Sequence, residues 1–230
     1  MAFAEDTREK WQHWLGIILA ELQDALVYRH LFREVREIVL ANGTLADTPS
    51  VYWAAWFDTY VHYGASALRR QLKNSDESVS LARLLRQIAD QPTLLSREWY
   101  LRDHPGGTEA WFVAQAHCAF DKFAGSGGQH VDSALVSVDR DALLAAGKDV
   151  ESYVDRVVAH RDKRPPSVIP TLTDMDKALD VTFDLASKYH LLLERRGYGF
   201  PVAAWVGDEW RDLFKVPWIS GQADGVRGGT

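Results

Sequence analysis

Apolar residues recur three and four positions apart through most of this 230-residue chain, the spacing that gathers side chains along one side of an α-helix. From about Thr7 to Ala41 the stripe runs Trp11, Trp14, Leu15, Ile18, Leu22, Leu26, Phe32, Val35 and Val39, and Asn42-Gly43 closes it, since both residues tolerate the left-handed conformation that ends a helix. Thr48-Pro49 opens a second long helix to about Asn74, with Trp53, Phe57, Tyr60, Gly64, Leu68 and Leu72 on its apolar side. Ser75, with Asp76 and Glu77, predicts the cap of a third; Leu81, Leu84, Leu85 and Ile88 give it an apolar face before Gln91-Pro92. A polar segment, Arg102 to Thr108, leads into a helix over Glu109 to Phe123 that Gly125-Ser126-Gly127-Gly128 stops. Asp139 predicts the cap of a short helix through Ala146, Gly147 an interruption, and Asp149 to His160 another helix with Val150, Tyr153, Val154, Val157 and Val158 on its apolar side. Pro165-Pro166 must stop that one. Thr173 to Asp176 resembles a capping box with Asp in place of Glu, and Leu179, Phe183, Ala186, Tyr189, Leu192 and Leu193 carry a last long helix to Gly197. One short helix, about Asp208 to Phe214, fits the tail.

No alternating strand pattern bounded by hairpin turns occurs, so the expected class is all-α: a bundle of four long helices with short accessory helices over residues 1–197. Residues 198–230 are expected as an irregular, Trp-rich tail packed on that bundle, frayed at its last residues. Nine tryptophans are compatible with an aromatic core or with an exposed contact surface. A net charge of −6 argues against broad electrostatic capture of nucleic acid and leaves room for a local basic site. With Cys118 as its one cysteine, the chain has no intrachain disulfide and too few thiolates for a Cys-based zinc site. Its apolar helical surroundings predict a packed thiol, and a reducing compartment suits it. Met1 to Lys10 is charged, and the apolar run Trp14 to Ala20 is far short of the roughly 20 residues a spanning helix needs. The expected location is cytoplasmic, with no membrane partner.

Chemistry concentrates in the segment Tyr153 to Arg164. Arg156 and His160 stand four apart, which on an α-helix puts both on one face with side-chain roots roughly 5–6 Å apart. A guanidinium can hold phosphate oxygens in pairs, and an imidazole can take or return a proton near neutral pH. Together they suit metal-free cleavage of RNA, with the basic run Arg161, Lys163 and Arg164 available to bind its backbone. The other reading makes Asp155 and Arg156 solvated helix charges and leaves His160 and Arg161 as cations at a helix C-terminus. Arg29, Arg33, Arg36, Arg69, Arg70, Arg83 and Arg86 offer a second basic strip, to be read as RNA-facing or as charges paired with neighbours such as Glu34 and Glu37. His13, His30, His62, His104, His117, His130 and His190 show no metal-binding spacing, the Gly125 to Gly128 run lacks a phosphate-loop lysine, and no serine or cysteine nucleophile signature is present. No cofactor is called for.

Several segments together resemble the AbiU2-like branch of the HEPN superfamily, helical proteins of bacterial phage defence and toxin–antitoxin systems. They are Leu31-Phe32-Arg33-Glu34, Leu68-Arg69-Arg70, Ser80 to Leu85, Ala159-His160-Arg161-Asp162 and Thr171 to Asp174, spread from about Leu15 to Leu193. The Ala-His-x-Asp element before a capped helix is the most specific of them. The resemblance implies a homodimeric bundle whose two Arg-to-His segments face one cleft, a metal-independent endoribonuclease acting on RNA, and an antitoxin or other protein partner. On the matching position His160 is the family's histidine; Arg156 is taken here as the group that binds phosphate and Asp162 as the one that orients the ring. The family places four to six residues between arginine and histidine; here there are three, and Tyr153, Val154 and Asp155 are not basic. A non-catalytic HEPN-fold module that binds RNA or a protein partner therefore stands beside the ribonuclease.

Overall fold

The computed structural model describes residues 2–48, 50–102, 109–158, 163 and 168–216. Among them the chain is all-α. Helix α1 spans Ala2–Ala41, and a single turn α2, Gly43–Ala46, follows it. Then come α3 (Val51–Leu72), α4 (Leu81–Asp90), α5 (Arg97–Leu101) and α6 (Ala110–Ala124). Helix α7 (Ser133–Tyr153) continues into a π-helical turn, Val154–Val158. Helix α8 (Leu172–Glu194), the short α9 (Val202–Val206) and a 3-10 stretch, Glu209–Lys215, complete the order. The four long helices are α1, α3, α7 and α8. None of the described helices is long and apolar enough to cross a membrane.

Helix α1 packs against α8, α3 and α4, while α7 packs against α4, α3 and α8, so the core lies between these two axes. The stripe read along α1 is the buried one: Trp11, Leu15, Ile18, Leu22, Leu26 and Phe32 are all in the core. Helix α4 is the wedge, with Leu81, Leu84, Leu85 and Ile88 without exposure. Trp11 satisfies its indole N–H by donating to Gln87 Oε1 at 3.0 Å, the condition for burying a tryptophan whole. The other tryptophans divide between the two readings of the composition: Trp111 and Trp205 are 58% and 67% exposed. Trp218 lies outside the described residues.

Four local expectations are corrected. The third helix is capped by Ser80, whose hydroxyl accepts from Arg83 N–H, and the turn at Ser75 stands apart from it. The capping box of α8 sits two residues earlier than predicted: Thr171 accepts from Asp174 N–H at 3.2 Å while Asp174 accepts from Thr171 N–H at 2.9 Å. Its Asp-for-Glu substitution is as expected. In the tail the short helix expected near Asp208 to Phe214 is present as the 3-10 stretch, and α9, a second helix where one was expected, precedes it; Tyr198, Phe200 and Val202 pack against the core, and Arg211 pairs with Glu34 on α1.

The fourth correction shapes the molecule most. Helix α7 is capped by Asp132 rather than Asp139 and runs unbroken through Gly147. Asp139 instead accepts from Lys188 at 2.6 Å and from the hydroxyl of the buried Tyr189 at 2.9 Å, tying α7 to α8. Gly147 is buried where α7 crosses the end of α3. A Cβ built there would lie 2.4 Å from Leu72 Cδ1 and 3.1 Å from its Cγ, so the missing side chain is filled by leucine. Gly147→Ala is expected to lower stability by about 1–2 kcal/mol, overpacking exceeding the gain in helix propensity. In a Leu72→Ala background the same change should become neutral or stabilising, and urea unfolding of the four variants checks the pair.

Candidate functional site

The end of α7 is held by charge. Looking from α3, Lys73 donates to Glu151 Oε1 at 3.2 Å and lies 3.7 Å from Asp155 Oδ2. Arg69, one turn back, donates from Nε to Asp155 Oδ1. These pairs continue the Leu72 and Gly147 contact: as α3 runs backward from residue 73 to 69, α7 runs forward from 151 to 155, as antiparallel helices must. Both partners of the Arg69 and Asp155 pair are partly screened from water, with side chains 27% and 40% exposed.

Asp155 already belongs to the π-helical turn, in which backbone bonds span five residues in place of four. Its buried member is Val154; Val158 packs against the core from its rim and Val157 is exposed. Arg156 is half-buried on this turn and is engaged by a neighbouring group. The expectation of a regular α-helix from Asp149 to His160 is thus corrected over Val154–Val158. His160, Asp162, Arg161 and Arg164 lie outside the described residues. Lys163 is described and exposed. Beside the turn is a cavity of about 270 Å³ between Tyr153, Val150, Ala65, Phe57, Leu172 and Met175. Its wall is predominantly apolar, so any group entering it from the Arg156 side meets hydrocarbon and aromatic surface.

The second basic strip is largely neutralised. Arg29 pairs with Asp180 at 2.6 Å, Arg33 with Asp176 at 2.6 Å and Arg36 with Glu37 at 3.1 Å. Arg70 pairs with Glu21, and Arg86 with Asp76 at 2.6 Å, while Arg83 donates to Ser78 O at 2.7 Å. The paired reading holds, although two of the partners, Asp176 and Asp180, come from α8 rather than from α1 itself. Asp176 also accepts from the Tyr60 hydroxyl at 3.3 Å; burial, with that carboxylate alongside, pushes the phenol's ionisation well above its ordinary range.

Elsewhere Arg97 is a buried structural cation. It donates to Gly128 O and His117 O and pairs with Asp121, whose carboxyl the guanidinium holds below the usual carboxylate range. Cys118, expected to be packed, is exposed: it lies on the side of α6 away from the buried Ala116, Phe120 and Phe123. The residues missed from sequence are Lys73 and Glu151, and Arg69, read as part of the basic strip, has its partner on the end of α7. Their signal was the i, i+4 pair Glu151 and Asp155 on one helix face, facing Arg69 and Lys73 on another.

Asp155→Asn removes the charge that Arg69 and Lys73 share. Because these groups are partly exposed, global stability should fall by no more than about 1 kcal/mol. The local consequence is larger: amide hydrogen exchange over residues 153–158 should speed up selectively, with α1 and α8 unchanged. Exchange read by mass spectrometry on the two proteins tests this. No family model, no curated protein and no solved structure matches this chain.

Proposed function

We propose that this chain is an RNA-acting helical protein of the HEPN, AbiU2-like kind, serving bacterial phage defence or a toxin–antitoxin pair, and that Arg156 and His160 handle a phosphodiester without a metal. The observation that carries the reading is Arg156 itself: half-buried on a π-helical turn that Arg69 and Lys73 hold through Asp155. π-turns inside α-helices concentrate at functional sites, because widening the ladder re-aims side chains that a regular helix would carry elsewhere. The resemblance around Ala159-His160-Arg161-Asp162 supplies the second partner.

In this reading His160 takes the proton of a ribose 2′-hydroxyl, and the oxygen attacks the adjacent phosphorus. The bond from phosphorus to the 5′-oxygen breaks, the protonated His160 returns the proton to that oxygen, and a 2′,3′-cyclic phosphate and a 5′-hydroxyl result. Arg156 neutralises the charge gathering on the non-bridging oxygens, Asp162 orients the imidazole, and Arg161, Lys163 and Arg164 bind the flanking backbone. Two copies facing each other across a cleft, and an antitoxin or other protein partner, complete the proposal.

A second reading, a non-catalytic module that docks a protein, has its own support in the first half of α3. There Val51, Tyr52 and Phe57 are 86%, 54% and 41% exposed, and further along the helix Tyr28 of α1, which lies against Tyr63, is 50% exposed.

Incubation of the protein with a mixed-sequence RNA in excess chelator separates the two. Cleavage leaving cyclic phosphate ends is expected, with His160→Ala reducing the rate by about 10²–10⁴ and Arg156→Ala by about 10²–10³. RNA left intact by the wild-type protein, or cut equally by both variants, removes the ribonuclease and leaves the docking module.

A further inference from the structure

A second hollow, of about 300 Å³, opens between α1 and α3, and five aromatic residues line it: Tyr28 and Phe32 from α1, and Trp56, Tyr60 and Tyr63 from α3. Their spacing gathers them there. Tyr28 and Phe32 stand four apart, as do Trp56 and Tyr60, with Tyr63 three further on, so each set runs along one side of its helix. Phe32 and Tyr60 are buried, at 4% and 7% exposure, and make the floor. Trp56 and Tyr63 are partly covered and Tyr28 is half exposed, so these three make a rim that solvent already reaches.

The rings are held before any ligand arrives. Phe32 stacks on Tyr60 at 4.2 Å between centroids and on Trp56 at 4.9 Å, and the Tyr60 hydroxyl donates to Asp176 at 3.3 Å. Tyr28 and Tyr63 meet at 4.5 Å with their planes 64° apart, which forms a corner. Charge sets this hollow apart from other aromatic surface of the molecule. A lysine or arginine already lies over the rings of Trp14, Trp99, Phe120, Phe123 and Trp210, whereas among the described residues none lies over these five. The arginines nearby are committed, Arg29, Arg33 and Arg70 each facing a carboxylate. Asp24 is not: it is exposed, has no partner among the described residues and stands one turn before Tyr28. Burial and then the charge of Asp24 raise the ionisation of the Tyr63 phenol, which puts that carboxylate within electrostatic reach of the rim.

We infer that this hollow binds a small molecule bearing a trimethylammonium group, of choline size. Such a cation has no N–H to donate, so what recognises it is aromatic surface and a carboxylate rather than a hydrogen-bond acceptor. Both are present. The rings' quadrupoles attract the cation, its methyl groups lie against the apolar wall, and Asp24 supplies a countercharge at the rim. The volume falls at the lower end of the range of small-molecule sites. This site is independent of the segment around Arg156.

Choline is titrated into the full-length protein, and saturation transferred from the protein to its N-methyl protons gives the affinity. The neutral isostere 3,3-dimethyl-1-butanol, with carbon in place of nitrogen, is measured through its own methyl protons. Choline should saturate with a dissociation constant of about 1 mM or tighter, and the isostere should bind at least roughly tenfold more weakly, since it keeps the shape and loses the charge. Tyr28→Phe, which keeps the ring, should bind choline as the unaltered protein does, while Tyr28→Leu should weaken it about fivefold. Asp24→Asn, at an exposed position where folding is not at stake, should weaken it about threefold. Choline that fails to saturate by about 10 mM overturns the inference. So does an isostere that binds equally, which leaves an apolar hollow only, and so does choline affinity unchanged in both Tyr28→Leu and Asp24→Asn. Vesicles of phosphatidylcholine that sediment the protein while free choline stays unbound would make this face a membrane contact and remove the small-molecule site.

Discussion

The close approach of α7 to α3 at Gly147 is the constraint on which the rest of this end of the molecule depends. With Leu72 seated where a side chain would stand, the helix axes come near enough for Lys73 to reach Glu151 and for Arg69 to reach Asp155. A larger residue at 147 would push α7 outward and lengthen each of those charge contacts together. Packing thus decides an electrostatic arrangement, and the electrostatic arrangement in turn fixes the turn that bears Arg156. A glycine that would ordinarily weaken a helix is kept because its neighbour uses the space.

What was legible in the residues follows from how much of each pattern is local. The stripes of α1 and α4 were readable because their apolar positions, the partly covered Trp14 and Val39 apart, are buried, so period and burial agree. Helix α7 was misread for the opposite reason: Gly147 and Asp139 look like punctuation, and only their partners Leu72, Lys188 and Tyr189, all distant in the chain, give them other roles. The α8 cap was found two residues out of register because Thr171 and Thr173 both offer a hydroxyl before an aspartate, and backbone geometry chooses between them. The π-turn has no local signal at all. The basic strip on α1 was ambiguous for the same reason as α7, its partners Asp176 and Asp180 being more than a hundred residues away.

Charge in this protein is handled by pairing, and the exceptions define its surface chemistry. Arginines on α1 and α3, Arg36 with its neighbour Glu37 apart, are spent on joining helices, which removes them as a broad phosphate-binding field. What survives among the described residues is local: the exposed Lys163 beyond the end of α7, and the exposed Lys122 on α6 and Arg196 just past α8. Hydrophobic surface is distributed in the same uneven way, closed over α4 and open along the first turns of α3.

Helix α1 has 40 residues, and at a rise of 1.5 Å per residue it is about 60 Å long. A compact globule of this chain length has a radius of gyration of about 17 Å, so its diameter is shorter than this one helix. The protein must therefore tumble and diffuse as an elongated body. Its elution from a sizing column will overstate its mass, and a monomer can take the place expected for something larger. Counting subunits requires a mass read from scattered light or from sedimentation equilibrium, where shape drops out.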